Sequence, residues 1–120
     1  MTDFTMEQTL FQLILHAGGA RSSAKEAAQY AEDGDWEAAK ASMQEAEEEQ
    51  NQAHKINTAL ITKAARGEEL EISVLMIHAL DLLMLAWSEI DYTEQYLDTL
   101  KRLNSLEAEV KIWKEKASRK

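Results

Sequence analysis

The stretch Ile72–Trp87 reads ISVLMIHALDLLMLAW and decides the fold of this chain. Its only polar side chains are those of Ser73, His78 and Asp81. A helix that is apolar nearly all round is a buried helix, and two neighbouring helices in a chain of 120 residues do not easily cover all of it. The stretch therefore predicts a central helix with a subunit interface along it. It is too short and too interrupted for a membrane span, which needs about 20 apolar residues.

His78 and Asp81 are the candidate functional pair inside this stretch. They are three residues apart, so their side chains are neighbours on one face of the predicted helix. An imidazole and a carboxylate in an apolar helix cost stability unless they are paired or used. Histidine is suited to act as a base or nucleophile near neutral pH. Zinc binding has little support, because two ligands do not make a zinc site and the sequence has no HExxH pattern.

The composition predicts an all-α protein. The chain has no proline, four glycines and no cysteine, and it is rich in strong helix formers. Its length predicts a single domain over residues 1–120, with a core at about 5–115. A formal net charge of -9 argues against nucleic acid or an anionic membrane as the main partner. The first residues lack the basic and apolar regions of a signal peptide, so we expect a cytoplasmic protein without membrane insertion.

Two glycine-containing turns divide the chain into three predicted helices. The first begins near Thr5, with Thr2 or Thr5 as its cap. It ends at the turn 33–35, where the second helix starts with Asp35 as cap. The second helix stops at Gly67, and the third runs from about Leu70 towards the end of the chain.

The second helix carries a regular seam that bears on the site. Its positions alternate in steps of three and four, the heptad spacing of helices packed in a bundle; they are Trp36, Ala39, Met43, Ala46, Gln50, Ala53, Asn57, Leu60 and Ala64. Gln50 and Asn57 are its polar members, and His54 lies on the adjacent row. A polar residue in such a seam can serve only to fix the packing register. Alternatively, Asn57 and His54 can face His78.

Gly18 and Gly19 interrupt the apolar pattern of the first helix. Each glycine costs about 1 kcal/mol relative to alanine in a helix interior. They indicate either a close approach between helices or a space left for a partner or a phosphoryl group, with Arg21 nearby. Three groups on the other predicted helices can thus converge on His78: Arg21 from the first helix, and His54 and Asn57 from the second.

The sequence around His78 resembles the phosphorylation motif of the lactose/cellobiose-type enzyme IIA of the bacterial sugar phosphotransferase system. In that family the motif reads His-Ala/Gly-Gln-Asp-His-Leu-Met, and residues 73–84 are similar to it. Three further segments resemble the family in the same order: 17–21, AGGAR; 34–39, GDWEAA; and 53–58, AHKINT. The resemblance covers roughly residues 5 to 105.

This resemblance implies an antiparallel three-helix up-down-up bundle that assembles as a nine-helix homotrimer. His78 would accept a phosphoryl group from the phosphocarrier protein HPr and pass it to a IIB component during uptake of a β-glucoside- or galactoside-class sugar. The chain would then be a phosphotransferase in the sense of a phosphohistidine carrier. Asp81 from three subunits would meet near the three-fold axis and bind a divalent cation. Magnesium fits that expectation, because hard cations prefer oxygen ligands.

Two residues beside His78 depart from the family pattern. Leu80 stands where the family has glutamine, and Leu82 where it has a second histidine. Asn57 also replaces a glutamine, which shortens the amide side chain. Phosphoryl transfer depends on donors placed around the moving oxygens. The alternative function is therefore a non-catalytic helical scaffold or regulator that kept the trimer and lost the transfer.

Overall fold

The computed structural model describes residues 5–119, and it contains three helices and no strand over that range. They are α1 (Met6–Glu32), α2 (Trp36–Ala65) and α3 (Val74–Ser118). Helix α1 packs against both of the others, while α2 and α3 touch each other less. Leu10 near the start of α1, Leu60 near the end of α2 and Met76 near the start of α3 share one cluster. Adjacent helices therefore run in opposite directions, which confirms the predicted all-α, up-down-up bundle.

Polar side chains cap the start of each helix. The Thr5 hydroxyl accepts a hydrogen bond of 3.2 Å from the Gln8 backbone N–H, and the Gln8 side chain accepts one from the Thr5 backbone. Thr2, the other predicted cap of α1, lies outside the described residues. An Asp35 carboxylate oxygen accepts a hydrogen bond of 3.1 Å from the Ala38 backbone N–H. These side chains satisfy amide groups that the first helical turn leaves without partners.

The predicted start of α3 at Leu70 is wrong by four residues. The helix begins at Val74, because the Ser73 hydroxyl accepts a hydrogen bond of 3.1 Å from the Met76 backbone N–H. Ser73 itself has an extended backbone, with φ −108° and ψ 165°. The capping serine outweighs the helix propensity of the residues before it.

Both chain reversals depend on a glycine in the left-handed region. Gly34 has φ +81° and Gly67 has φ +84°, values that side chains with a Cβ rarely adopt. Gly34 lies directly between the end of α1 and the cap of α2. Gly67 follows the last turn of α2, the usual place for a helix-ending glycine.

The core consists of two clusters along the bundle. The leucine cluster comprises Leu10, Leu13, Ala53, Leu60, Met76, Ala79 and Leu83. The alanine cluster comprises Ala17, Ala20, Ala24, Ala27, Met43, Ala46, Ala86 and Ile90. Small side chains in the second cluster let α1 approach its neighbours closely. The predicted α2 seam is confirmed from Ala39 to Leu60, with Trp36 half-buried and Ala64 exposed.

One apolar face of α3 has no cover among residues 5–119. Val74 is 84%, Ile77 52%, Met84 52% and Leu85 50% exposed. The bundle therefore leaves uncovered part of the stretch that was expected to lie at a subunit interface. Large contiguous apolar patches on a protein surface mark interaction sites.

Helix α3 extends well beyond the other two helices. The Lys101 ammonium lies 5.2 Å from the centre of the Trp36 ring, at the end of the bundle where α2 begins. Every residue from 101 to 119 is exposed. Residues 102–119 therefore project by about 27 Å at the helical rise, and the structure measures 77 Å along its longest axis. Within residues 5–119, no helix is long and apolar enough to cross a membrane.

Candidate functional site

His78 lies in the second turn of α3 with its side chain exposed to solvent. Met76, two residues before it, and Ala79, directly after it, are buried members of the leucine cluster. The imidazole therefore stands on a rigid helix whose other face is anchored in the core. A nucleophile that must meet a second protein needs both accessibility and a fixed position.

Asp81 lies on α3 about one turn after His78, and it too is exposed. Among residues 5–119, no three histidine, aspartate or glutamate side chains gather into a group that could hold a metal. A single chain thus offers Asp81 as one carboxylate, whereas hard cations take about six oxygen ligands. Several copies of Asp81, completed by water, would be needed for such a site.

Leu80 and Leu82 flank Asp81 and are both half-buried. Leu80 packs against the leucine cluster, and Leu82 packs against the alanine cluster. Part of the stretch expected to form a subunit interface is thus covered by the bundle itself. At 3.6 residues per turn, Leu82 lies about 40° around the helix from His78, while Leu80 lies about 160° away. Only Leu82 occupies a position beside the imidazole in the same chain.

Asn57 is the supporting candidate that the fold brings to the level of His78. It lies on α2 between Ala53 and Leu60, both members of the leucine cluster, and it is 8% exposed. Its amide is therefore part of the interior beneath the site. This placement fits the interpretation of a polar seam residue that fixes packing register.

His54 contacts Trp87 rather than the start of α3. The two ring centres are 5.4 Å apart with an angle of 53° between the ring planes, a tilted aromatic arrangement. Trp87 follows His78 by nine residues, which is about 13 Å of helix rise. In a cyclic assembly whose symmetry axis runs parallel to α3, rotation leaves every residue at the same height along the axis. The His54 side chain of a neighbouring copy would therefore lie as far from His78 along that axis as the His54 of the same chain.

Arg21 likewise lies further along the bundle than His78. It is half-buried on α1 between Ala20 and Ala24, both in the alanine cluster. Its Nε atom is buried and has no hydrogen-bond partner among the described residues. The amide nitrogen and oxygen of the Gln50 side chain are also buried and have no hydrogen-bond partner within residues 5–119. Within one chain, Arg21 and His54 do not converge on His78.

The pair His16 and Glu49 was not among the predicted site residues. His16 Nδ1 lies 2.7 Å from Glu49 Oε2, which joins α1 to α2. Gly19, one turn after His16, leaves space for this carboxylate, because a Cβ there would lie 3.2 Å from Glu49 Oε2. A Cβ at Gly18 would meet nothing within 4 Å. The predicted close approach therefore applies to Gly19 only, and its neighbour is a side chain of α2.

A carboxyl group with a raised pKa, that of Glu94, lies far from His78. Glu94 on α3 faces Glu47 on α2, and its pKa is raised by partial burial, by a hydrogen bond with Glu47 and by surrounding acids. A neighbouring carboxylate disfavours the ionised form of Glu94 through like-charge repulsion. Glu94 follows His78 by 16 residues, about 24 Å along α3. Its titration therefore belongs to bundle packing, not to the candidate site.

The fold and site together define a small three-helix protein with a solvent-accessible histidine, followed one helical turn later by an exposed aspartate. The family model described as PTS system, Lactose/Cellobiose specific IIA subunit matches residues 8–101. The chain belongs to this IIA family of the sugar phosphotransferase system.

Similar proteins cover most of this chain and nearly all of their own length. The lichenan-specific phosphotransferase enzyme IIA component of Bacillus subtilis is 43% identical over 98 residues, which is 82% of this chain and 89% of the relative. The crystal structure of the PTS cellobiose-specific enzyme IIA from Bacillus anthracis has a TM-score of 0.81 at 44% identity, covering 86% of this chain and 95% of that one. The IIA(chitobiose)–HPr complex of Escherichia coli contains a chain with a TM-score of 0.74 at 30% identity, covering 85% and 99%.

Proposed function

We propose that this protein carries a phosphoryl group on His78, accepting it from HPr and passing it to a IIB component of a sugar phosphotransferase system. The main observation behind this proposal is that His78 is exposed on a rigid helix. It stands at the place of the phosphorylated histidine in the family motif that residues 73–84 resemble. The solved complex of a IIA(chitobiose) protein with HPr supports HPr as the donor. The lichenan and cellobiose relatives support a β-glucoside-class sugar.

The chemistry uses the imidazole as nucleophile, an approach path for the partner and hydrogen-bond donors around the moving oxygens. A neutral ring nitrogen attacks phosphorus, so a phosphorus–nitrogen bond forms at His78 while the bond to the donor breaks. Transfer to the acceptor reverses this exchange and returns His78 to its free form. The exposed position of His78 leaves the imidazole accessible to both the donor and the acceptor protein.

Assembly as a homotrimer is part of this proposal. The uncovered face of α3 supports it, because closed cyclic symmetry buries such a face through one repeated contact. Asp81 would then meet its symmetry mates and hold a divalent cation such as magnesium. The bound cation would offset the repulsion among carboxylates that otherwise opposes assembly. Sedimentation at micromolar concentration tests this part, and a stable monomer near 13.6 kDa would contradict it.

The test of phosphoryl transfer uses labelling by phosphoenolpyruvate, enzyme I and HPr. The chain has three histidines, which supply matched variants. We expect His78→Ala to abolish the label, while His16→Ala and His54→Ala retain it. Circular dichroism checks that each variant is folded. Absence of label on the unmutated protein, under conditions that label a known IIA component, would overturn the proposal.

The second candidate is a scaffold or regulator that no longer transfers phosphate. Leu80 and Leu82 favour it, because they replace hydrogen-bonding groups of the family pattern with side chains that pack against the core. The same labelling experiment separates the two functions. A trimer that binds HPr but takes up no label would establish the second.

A further inference from the structure

The projecting end of α3 presents an apolar seam that no other part of the described chain, residues 5–119, covers. We name as the C-terminal seam the positions Thr99, Leu103, Leu106, Val110, Trp113 and Ala117, which alternate in steps of four and three. Its large apolar members are between 43% and 73% exposed. The family match ends at residue 101, so most of this seam lies outside the segment shared with the family.

Most helical stability in proteins comes from packing an apolar face rather than from the helix's own hydrogen bonds. Residues 102–119 have no packing partner within residues 5–119. The spacing of the C-terminal seam is that of positions a and d in a coiled coil, with Leu103 and Val110 at a and Leu106 and Trp113 at d.

We propose that the C-terminal seams of neighbouring copies of this chain pair in parallel and in register, forming a coiled-coil stalk beyond the bundle. The charged residues beside the C-terminal seam favour a second copy of this chain as its partner. With Leu103 at position a, Arg102 and Glu109 fall at position g, while Glu107 and Lys114 fall at position e. In a parallel coiled coil, each g residue faces the e residue five positions later in the next helix.

Both of these contacts join opposite charges. Arg102 of one copy faces Glu107 of the next, and Glu109 faces Lys114. Glu109 and Lys114 are five residues apart, so they do not meet within one helix, where neighbours are three or four apart. Their complementarity therefore acts only between copies. The stalk depends on none of the residues used in phosphoryl transfer.

The experiment uses the full chain, which contains no cysteine. Single substitutions Leu106→Cys and Trp113→Cys place a thiol at two d positions, and Ile112→Cys places one at an exposed position off the seam. Under mild oxidation of micromolar protein, we expect both d-position variants to form interchain disulfides on the order of tenfold faster than Ile112→Cys, because pairing raises the effective thiol concentration. Crosslinking at only one d position would indicate antiparallel pairing and would overturn the proposal, as would equal rates at all three.

Charge reversal supplies the second arm. In the Leu106→Cys background, Glu109→Lys should slow crosslinking by about fivefold through repulsion with Lys114 in each contact. Adding Lys114→Glu should restore the rate. Glu115→Lys makes the same change of charge at the outward position f and should leave the rate unchanged. Failure of the charge-swapped pair to recover would contradict the assigned register, whatever the outcome of phosphoryl labelling.

Discussion

His16 Nδ1 lies 2.7 Å from Glu49 Oε2, and this contact links α1 to α2 across a helix surface where Gly19 leaves space for the carboxylate. Both side chains are partly exposed, at 26% and 39%. Partly exposed ion pairs contribute about 0.2–1 kcal/mol. The link therefore contributes little to the stability of the bundle.

The two adjacent glycines of α1 should respond differently to alanine. Gly18→Ala meets no atom within 4 Å, so we expect the free energy of unfolding to rise by about 1 kcal/mol from helix propensity alone. Gly19→Ala gains the same propensity but brings a Cβ to 3.2 Å from Glu49 Oε2. The carboxylate must move away from His16, which cancels part of the gain. Urea denaturation at fixed protein concentration measures both, and a larger gain at Gly19 would contradict the packing described.

Glu94 should make the bundle less stable as pH rises. Its pKa is raised in the folded chain, chiefly by burial and by Glu47, so the folded state binds more protons than the unfolded state at pH values between the ordinary pKa and the raised one. Stability then falls as pH increases from about 4.5 towards the raised pKa. Glu94→Gln removes this titration, so we expect higher stability at pH 7 and a shallower decline from pH 5 to pH 7.

The control for Glu94 is Glu26→Gln, which removes one exposed carboxylate from α1. Thermal or urea unfolding of both variants at pH 5 and pH 7 isolates the effect of the Glu47 contact from that of net charge. An equal change in the pH dependence of both variants would assign the effect to general charge repulsion instead.

Asp81→Leu should strengthen the proposed trimer and remove its dependence on cations. The substitution replaces a carboxylate that repels its symmetry mates with an apolar side chain, which contributes roughly 1.5–3 kcal/mol when it is fully removed from water. Sedimentation with and without EDTA measures the result. Asp91→Leu changes another exposed aspartate, about 80° away around α3, and should not alter chelator sensitivity. A chelator effect that is unchanged in Asp81→Leu would rule out this carboxylate as the cation ligand.

Leu82→His should raise the rate of phosphoryl transfer to His78. The new imidazole would lie one helical turn away, about 40° around α3, where it can donate a hydrogen bond to the transferred group. A hydrogen bond to a charged group contributes about 1.5–3 kcal/mol, which corresponds to a rate increase of roughly 10- to 150-fold when the bond acts in the transition state. Leu80→Gln lies on the far side of the helix in the same chain and should have the smaller effect. The rate of labelling from phosphorylated HPr measures both effects. An unchanged rate in both variants would show that these leucines do not limit transfer.

The sequence alone determined most of the secondary structure, because its signals are local. Gly34 and Gly67 mark turns through their backbone freedom, and Asp35 marks a helix start through its side-chain oxygen. The apolar seam of α2 follows from helical periodicity, which is the same in any helix that packs on one side. The start of α3 was misplaced because a serine cap competes with helix-forming residues before it, and their relative strength is not evident from spacing.

Only the tertiary structure decided which side chains share a level of the bundle. Spacing along one helix puts Asp81 beside His78, but it cannot state the height at which α2 or α1 passes α3. That height follows from packing of the leucine and alanine clusters, which places His54 against Trp87 and Arg21 beside the alanine cluster. The contact between His16 and Glu49 depends on the same packing, since it joins residues 33 positions apart in the chain. Local patterns thus predicted the helices and the candidate histidine, while the packing register between helices decided which side chains lie beside it.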